Sequence, residues 1–232
     1  MIYFATGRRE NGKSTLVYAL AQRLPQRIVI DPRRQFVTAS PCVTTPDEVA
    51  TAMDALSADP SLREVVVMPR GAVQPCFDAL FESACGWIED HPSRALAIIV
   101  DEARFFDLTG EAFEWVLRCA PRASMHVFLT AHRPSDIPVD VRGIMDQWLM
   151  FRTTQPHDLR AIAERCGESV AALVSTLGPY EWVQWDDGKA LATVHRDPSV
   201  WYVPLRSVVQ EVPSPMPLGV GVGQAANTRL FG

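Results

Sequence analysis

The chain lacks the features that would mark a secreted, zinc-bound or membrane-spanning protein. Its five cysteines (Cys42, Cys76, Cys85, Cys119 and Cys166) are scattered, odd in number and without a Cys-x-x-Cys pair. That spacing argues against a disulfide framework and a zinc site and fits a reducing compartment. Each is expected as a small buried apolar side chain. No apolar run approaches the length of a membrane span, and the longest, Ala95 to Val100, reads as a buried strand. Met1 to Gly7 is too short for the apolar region of a signal peptide and runs into Arg8 and Arg9. Nor is there a basic excess. The formal net charge is −5 with 21% charged residues, so any nucleic acid is expected on local contacts and not over the whole surface.

What is present is an alternation of strand and helix in a chain long enough, at 232 residues and 47% hydrophobic, to bury a full core. Ile2 to Ala5 predicts a strand, Lys13 to Leu24 a helix, and Arg27 to Ile30 a second strand stopped by Asp31-Pro32. Thr45-Pro46-Asp47-Glu48 is a helix start, with a capping residue, proline in the first turn and acids near the positive dipole end. Strands at Glu64 to Met68, Ala95 to Val100, His126 to Thr130 and Trp148 to Phe151 interleave with helices at Pro75 to Asp90 and Gly110 to Cys119. Short apolar strands of this kind predict an α/β fold, a mostly parallel sheet with helices on both faces. Helices at Pro156 to Cys166 and Glu168 to Leu177 follow, then a β-hairpin from Tyr180 to Val194 closed by Asp187-Gly188. Beyond about Val209 proline and glycine dominate, so residues 210–232 are expected as a flexible tail to a domain of residues 1–209.

Gly7-Arg8-Arg9-Glu10-Asn11-Gly12-Lys13-Ser14 fits G-x-x-x-x-G-K-[ST] at every required position, between a predicted strand and a predicted helix. The two glycines let the backbone curl so that successive N–H groups face phosphate oxygens, and the helix from Lys13 aims its positive end there. Lys13 supplies a point charge for the β- and γ-phosphates, and the Ser14 hydroxyl is a Mg²⁺ ligand. Gly7, Asn11, Gly12, Lys13, Ser14 and Thr15 are the expected contacts to a nucleoside triphosphate, taken as ATP.

The strand from Ala95 ends in Asp101-Glu102. Ligands of parallel sheets bind outside the carboxyl ends of the strands, so Asp101 is placed to hold Mg²⁺ and Glu102 to deprotonate an attacking water. A second acid beside the first favours hydrolysis over transfer to a substrate hydroxyl. The strand His126 to Thr130 leads to Ala131-His132-Arg133-Pro134. A polar side chain there can reach the γ-phosphate, and His132 can donate to it through either nitrogen, although a single histidine at a strand end is more often structural.

With the phosphate loop, IIVDEA at Ile98 to Ala103 and LTAHRPSDIP at Leu129 to Pro138, the chain resembles the HerA–FtsK superfamily of DNA-pumping ATPases. Ile28 to Pro32, Trp148 to Arg152 and Pro156 to Leu159 match further family segments in order, so the resemblance covers about residues 1–166. It implies a RecA-like P-loop fold of the type with a catalytic glutamate, assembly into a pentameric or hexameric ring, and ATP-driven threading of double-stranded DNA. The family's third motif carries glutamine where this chain has His132, so the sensor role carries over by position and its chemistry changes. The resemblance also implies an arginine that reaches a neighbour's nucleotide, with Arg122 in that place and Arg118 as the alternative. Arg70 and Arg104 are candidate pore contacts. Arg8 and Arg9 face either phosphate or solvent.

Chain length leaves a bare ATPase core, similar to the genome-packaging ATPases of tailless icosahedral viruses with an internal membrane. That implies residence in the host cytoplasm or the virion, and capsid-vertex or membrane proteins as partners. The alternatives are a nucleotide-gated assembly ATPase of phage morphogenesis and a small-molecule phosphotransferase.

Overall fold

The computed structural model describes residues 1–35 and 40–196. The expected tail, residues 210–232, lies outside the described residues. Strands β1 (Ile2–Thr6), β2 (Gln26–Ile30), β3 (Cys42–Val43), β4 (Glu64–Val67), β5 (Leu96–Val100), β6 (Met125–Ala131), β7 (Gln147–Phe151), β8 (Trp182–Asp186) and β9 (Leu191–His195) form one sheet, ordered β3-β4-β2-β5-β6-β1-β7-β8-β9. Pairing from β3 to β7 is parallel, while β7 with β8 and β8 with β9 is antiparallel. β6 therefore stands between β1, which feeds the phosphate loop, and β5, which delivers the acid pair.

The strands β1, β2 and β4 to β7 are buried on both faces with period two. Ile2 and Phe4, Ile28 and Ile30, and Ile98 and Val100 face one core, while Tyr3, Ala5, Val29, Ala97 and Ile99 face the other. The first core is covered by α2 (Pro46–Ala58), α3 (Gln74–Asp90), α4 (Glu111–Cys119), α6 (Pro156–Cys166) and α7 (Glu168–Thr176). Among the described residues α1 (Lys13–Ala21) alone supplies a helix to the second, through Leu16, Val17 and Ala21. Helices thus lie on both faces, unequally. The start of α2 is a complete capping box: Thr45 Oγ1 accepts from Glu48 N–H at 3.3 Å and Glu48 Oε2 accepts from Thr45 N–H at 3.1 Å, an arrangement worth about 1 kcal/mol.

Three features depart from the sequence expectation. β3 and the short α5 (Val139–Gly143) are not predicted, because two residues and five residues carry no readable period. The hairpin is closed by a four-residue turn over 187–190, since Asp186 pairs with Leu191, and the positive φ falls on Ala190 (48°) rather than on Gly188. Cys76 and Cys166 are buried as expected and Cys85 and Cys119 are half-buried, but Cys42 is exposed on the edge strand.

Candidate functional site

Residues 7–12 leave the carboxyl end of β1 and turn into α1. Gly7 has φ +145° and runs so close to β7 that a Cβ would lie 2.6 Å from Phe151 Cβ. Gly12, the residue before α1, has φ 89°. Both positions need glycine: one for approach, one for the left-handed turn that opens the helix. Lys13 is buried and its Nζ donates to Arg8 O at 2.7 Å, folding the loop around its own ammonium. Burial brings its pKa down to about 8, against the upward pull of Glu102 and Asp101, with Arg9 pressing it down further.

β5 delivers Asp101 and Glu102 beside this loop. Ser14 Oγ donates to Asp101 Oδ1 at 2.6 Å, and Thr130 Oγ1, from the end of β6, donates to the same oxygen at 2.8 Å. Thr130 Oγ1 in turn accepts from Glu102 N–H at 2.9 Å. Burial raises the Asp101 pKa, and the negative charges of Asp31 and Glu102 add to it, while the two hydroxyls oppose it. Glu102 adopts left-handed backbone (φ 53°), a conformation that costs a non-glycine residue about 1 kcal/mol.

Glu102 is surrounded by bases. His132 Nε2 lies 2.8 Å from Oε1, Arg33 Nη1 donates to the same oxygen at 3.2 Å, and Arg104 Nε is 3.4 Å from Oε2. Arg9 Nε also sits 3.4 Å from His132 Nε2. One nitrogen cannot both donate to the carboxylate and accept from Arg9, and the shorter, ion-facing contact assigns the N–H to Nε2. Burial lowers the pKa of His132, as do Lys13, Arg104 and Arg9, against the pull of Glu102. The ring is then neutral near pH 7, with Nδ1 buried and unpartnered.

Gly12, Lys13, Ser14, Thr15, Glu102 and His132 line one cavity of about 280 Å³. With Asp101, which is bonded to Ser14, these are the sequence-predicted residues that the fold brings together. Asn11 is turned outward, its amide 3.5 Å from Arg152 O. Arg122 ends the turn before β6, at the amino edge of the sheet and across it from the loop, and Arg118 pairs with Glu114 on the exposed face of α4 at 3.7 Å. Neither enters this chain's own site. Arg70 is exposed beyond β4, and Arg104 is committed to Glu102. Sequence reasoning missed Thr130 and Arg33. The register of Val100 with Leu129 sets Thr130 beside Asp101, and Arg33 follows the strand that borders β5, so both were recoverable from strand order alone.

The donor set suits a hard cation. Asp101 Oδ2 is buried without a hydrogen-bond partner, next to an oxygen already shared with Ser14, and oxygen ligands of this type match Mg²⁺. Among the described residues no group of three His, Cys, Asp or Glu is placed to hold a metal alone. A cation here would complete its shell with water and ligand phosphates, as Mg²⁺ in nucleotide sites does.

No protein-family model matches the chain, and no curated protein matches it. Solved structures do. The genome packaging NTPase B204 of Sulfolobus turreted icosahedral virus 2, in complex with AMPPCP, is 22% identical with a TM-score of 0.67, over 84% of this chain and 96% of that one. B204 of Sulfolobus turreted icosahedral virus, described as a DNA-packaging ATPase, gives 22% and 0.65 over 84% and 96%. The bacterial conjugative coupling protein TrwBΔN70 gives 10% and 0.61 over 84% and 85%. The similarity drawn from the motifs is thus matched in three dimensions, and the chain has the RecA-like α/β fold of a P-loop NTPase.

Proposed function

We propose that the chain is an ATP-hydrolysing motor that moves double-stranded DNA, assembled as a ring that packages a viral genome into a preformed capsid. One cluster carries the hydrolytic half: Ser14 bonded to Asp101 at 2.6 Å, with Lys13 and Glu102 lining the same cavity. The DNA half is supported by the fold shared with a viral genome packaging NTPase and a conjugative coupling protein and by the order of the motifs. Residues 1–209 form the motor and residues 210–232 its tail, working in the host cytoplasm or at the virion vertex beside capsid or membrane proteins.

Incoming phosphate oxygens replace Arg8 O on Lys13 Nζ, and their negative field restores the charge that burial has weakened. Ser14 and Asp101 would hold Mg²⁺, which when bound neutralises charge on the β- and γ-phosphates. Water attacks the γ-phosphorus as the bond from that phosphorus to the β,γ-bridging oxygen breaks. ADP keeps the bond's electron pair, and the water proton passes to Glu102. Oε2 is the oxygen that takes that proton, because it accepts no hydrogen bond and only faces Arg104 Nε at 3.4 Å, while Oε1 is held by His132 and Arg33. His132 acts here as the partner of the base, with Nδ1 left to accept a hydrogen bond from the water.

An arginine of the neighbouring subunit, Arg122 or Arg118, would stabilise the transition-state charge, an effect worth several powers of ten where it occurs. The deciding experiment is ATPase rate with and without duplex DNA, paired with imaging in ATP. Rings and a DNA-stimulated rate are expected. Equal rates with no DNA binding by ring-form protein would remove translocation and leave a simple ATPase.

A further inference from the structure

Beyond the nucleotide cavity lies a second one of about 370 Å³, and Arg9 and His132 line both. Its other walls carry Arg8, Arg104 and Arg133. Arg104 is balanced by Glu102. Among the described residues Arg8, Arg9 and Arg133 have no carboxylate within ion-pair distance: Arg8 Nη2 donates to Thr154 Oγ1 at 3.1 Å and Arg9 faces His132. The cavity also carries two acids, Asp136 accepting from Arg133 N–H at 2.9 Å and Asp158 from Thr153 Oγ1 at 3.1 Å, so its four arginines outnumber its carboxylates two to one. An excess of guanidinium groups without ion-pair partners around a concave site suits a phosphate group, which they grip with paired N–H donors.

The position selects which phosphate. Glu102 and His132, 2.8 Å apart, line the nucleotide cavity, so the wall shared with the second cavity is the one that the γ-phosphate would face. A pocket of this volume holds an ion and not a duplex. The geometry points to a holding site for inorganic phosphate, into which the cleaved γ-phosphate moves past Arg9 and His132 before leaving the protein. This rests on ATP hydrolysis at the neighbouring cavity, but the site's affinity for phosphate does not. Phosphate departure is then separable from ADP departure, and a motor can attach its mechanical step to either.

Arg133 is the residue to change, because it lines the second cavity and not the first, and it is exposed. Equilibrium dialysis of radiolabelled inorganic phosphate against the full chain, with ADP saturating, reads the site without turnover. Arg133→Ala should weaken phosphate binding about tenfold, the size of one charge-assisted hydrogen bond, with ADP affinity unchanged. Arg133→Lys should recover part of it. In steady state the same variant should show about tenfold weaker inhibition by added phosphate. Equal phosphate affinity in wild type and Arg133→Ala overturns the proposal. So does loss of duplex-DNA binding with phosphate affinity intact, which would make the cavity a phosphodiester contact. A chain that binds phosphate through Arg133 yet never hydrolyses ATP would retain the site and refute the motor.

Discussion

The two ends of the sheet treat buried carboxylates in opposite ways. At the amino end Glu64 opens β4 and is surrounded: Tyr18 and Ser40 each donate to it at 2.6 Å, and Arg27 pairs with it. Burial alone would raise its pKa, but these donors together hold it below the ordinary value. At the carboxyl end Asp101 is equally buried, its pKa is raised, and one of its oxygens has no partner. The first carboxylate is finished by the fold. The second waits for something the fold does not contain. Unmet polar capacity, at sites where the backbone could have supplied a partner, is what separates a functional carboxylate from a structural one.

That contrast predicts opposite costs. Lys13→Ala should weaken ATP binding about a hundredfold, the scale of a lost pair of charge-assisted contacts. Its melting temperature should not fall, because a desolvated ammonium is removed; titration calorimetry and thermal unfolding read the two effects. Glu64→Gln should do the reverse. It leaves Arg27 unpaired and should cost about 3 kcal/mol, or roughly 5–10 °C in melting temperature, with the ATPase rate at 25 °C within about twofold.

The pH dependence sharpens the comparison on a smaller scale. Lys13, with a pKa brought down to about 8, must be charged to hold phosphate. ATP affinity should therefore fall by up to about tenfold per unit as pH rises above 8, and calorimetry at pH 9 should find about one proton taken up on binding. The smallest effect concerns stability. Glu64, with a depressed pKa, stabilises the fold above its unfolded value near 4.5 and loses that contribution as pH falls. Asp101, with a raised pKa, is penalised above its unfolded value near 3.8, and the penalty fades on acidification. Asp101→Asn should thus raise the melting temperature of the nucleotide-free protein at pH 7 by a few degrees, about 1 kcal/mol. It should also steepen the loss between pH 5 and 3. An Asp101→Asn protein less stable than wild type at pH 7 would erase the distinction between the two ends.

Much of this was legible in the residues. β1, β2, β4 to β7 and helices α1 to α4 follow from apolar runs and caps, and the phosphate loop and Asp101-Glu102 follow from spacing. What was not legible depends on strand order. Nothing in the spacing of residues 98–103 says that β6 lies between β1 and β5, yet that insertion brings Thr130 onto Asp101 and His132 onto Glu102. His132 was read as a γ-phosphate sensor from position alone. The fold also gives its Nε2 to the base, a contact that no linear pattern encodes. Arg33 was hidden for the same reason, three residues past a strand whose neighbour was unknown.

The most direct test is single-turnover hydrolysis of γ-labelled ATP by wild type and Glu102→Gln, with ATP affinity measured on both. If Glu102 is the base, the variant binds ATP within about threefold of wild type and cleaves it on the order of 10²- to 10⁴-fold more slowly. Cleavage by Glu102→Gln at the wild-type rate would contradict the account, because the carboxylate that the fold surrounds with His132, Arg33 and Arg104 would then play no part in the chemistry.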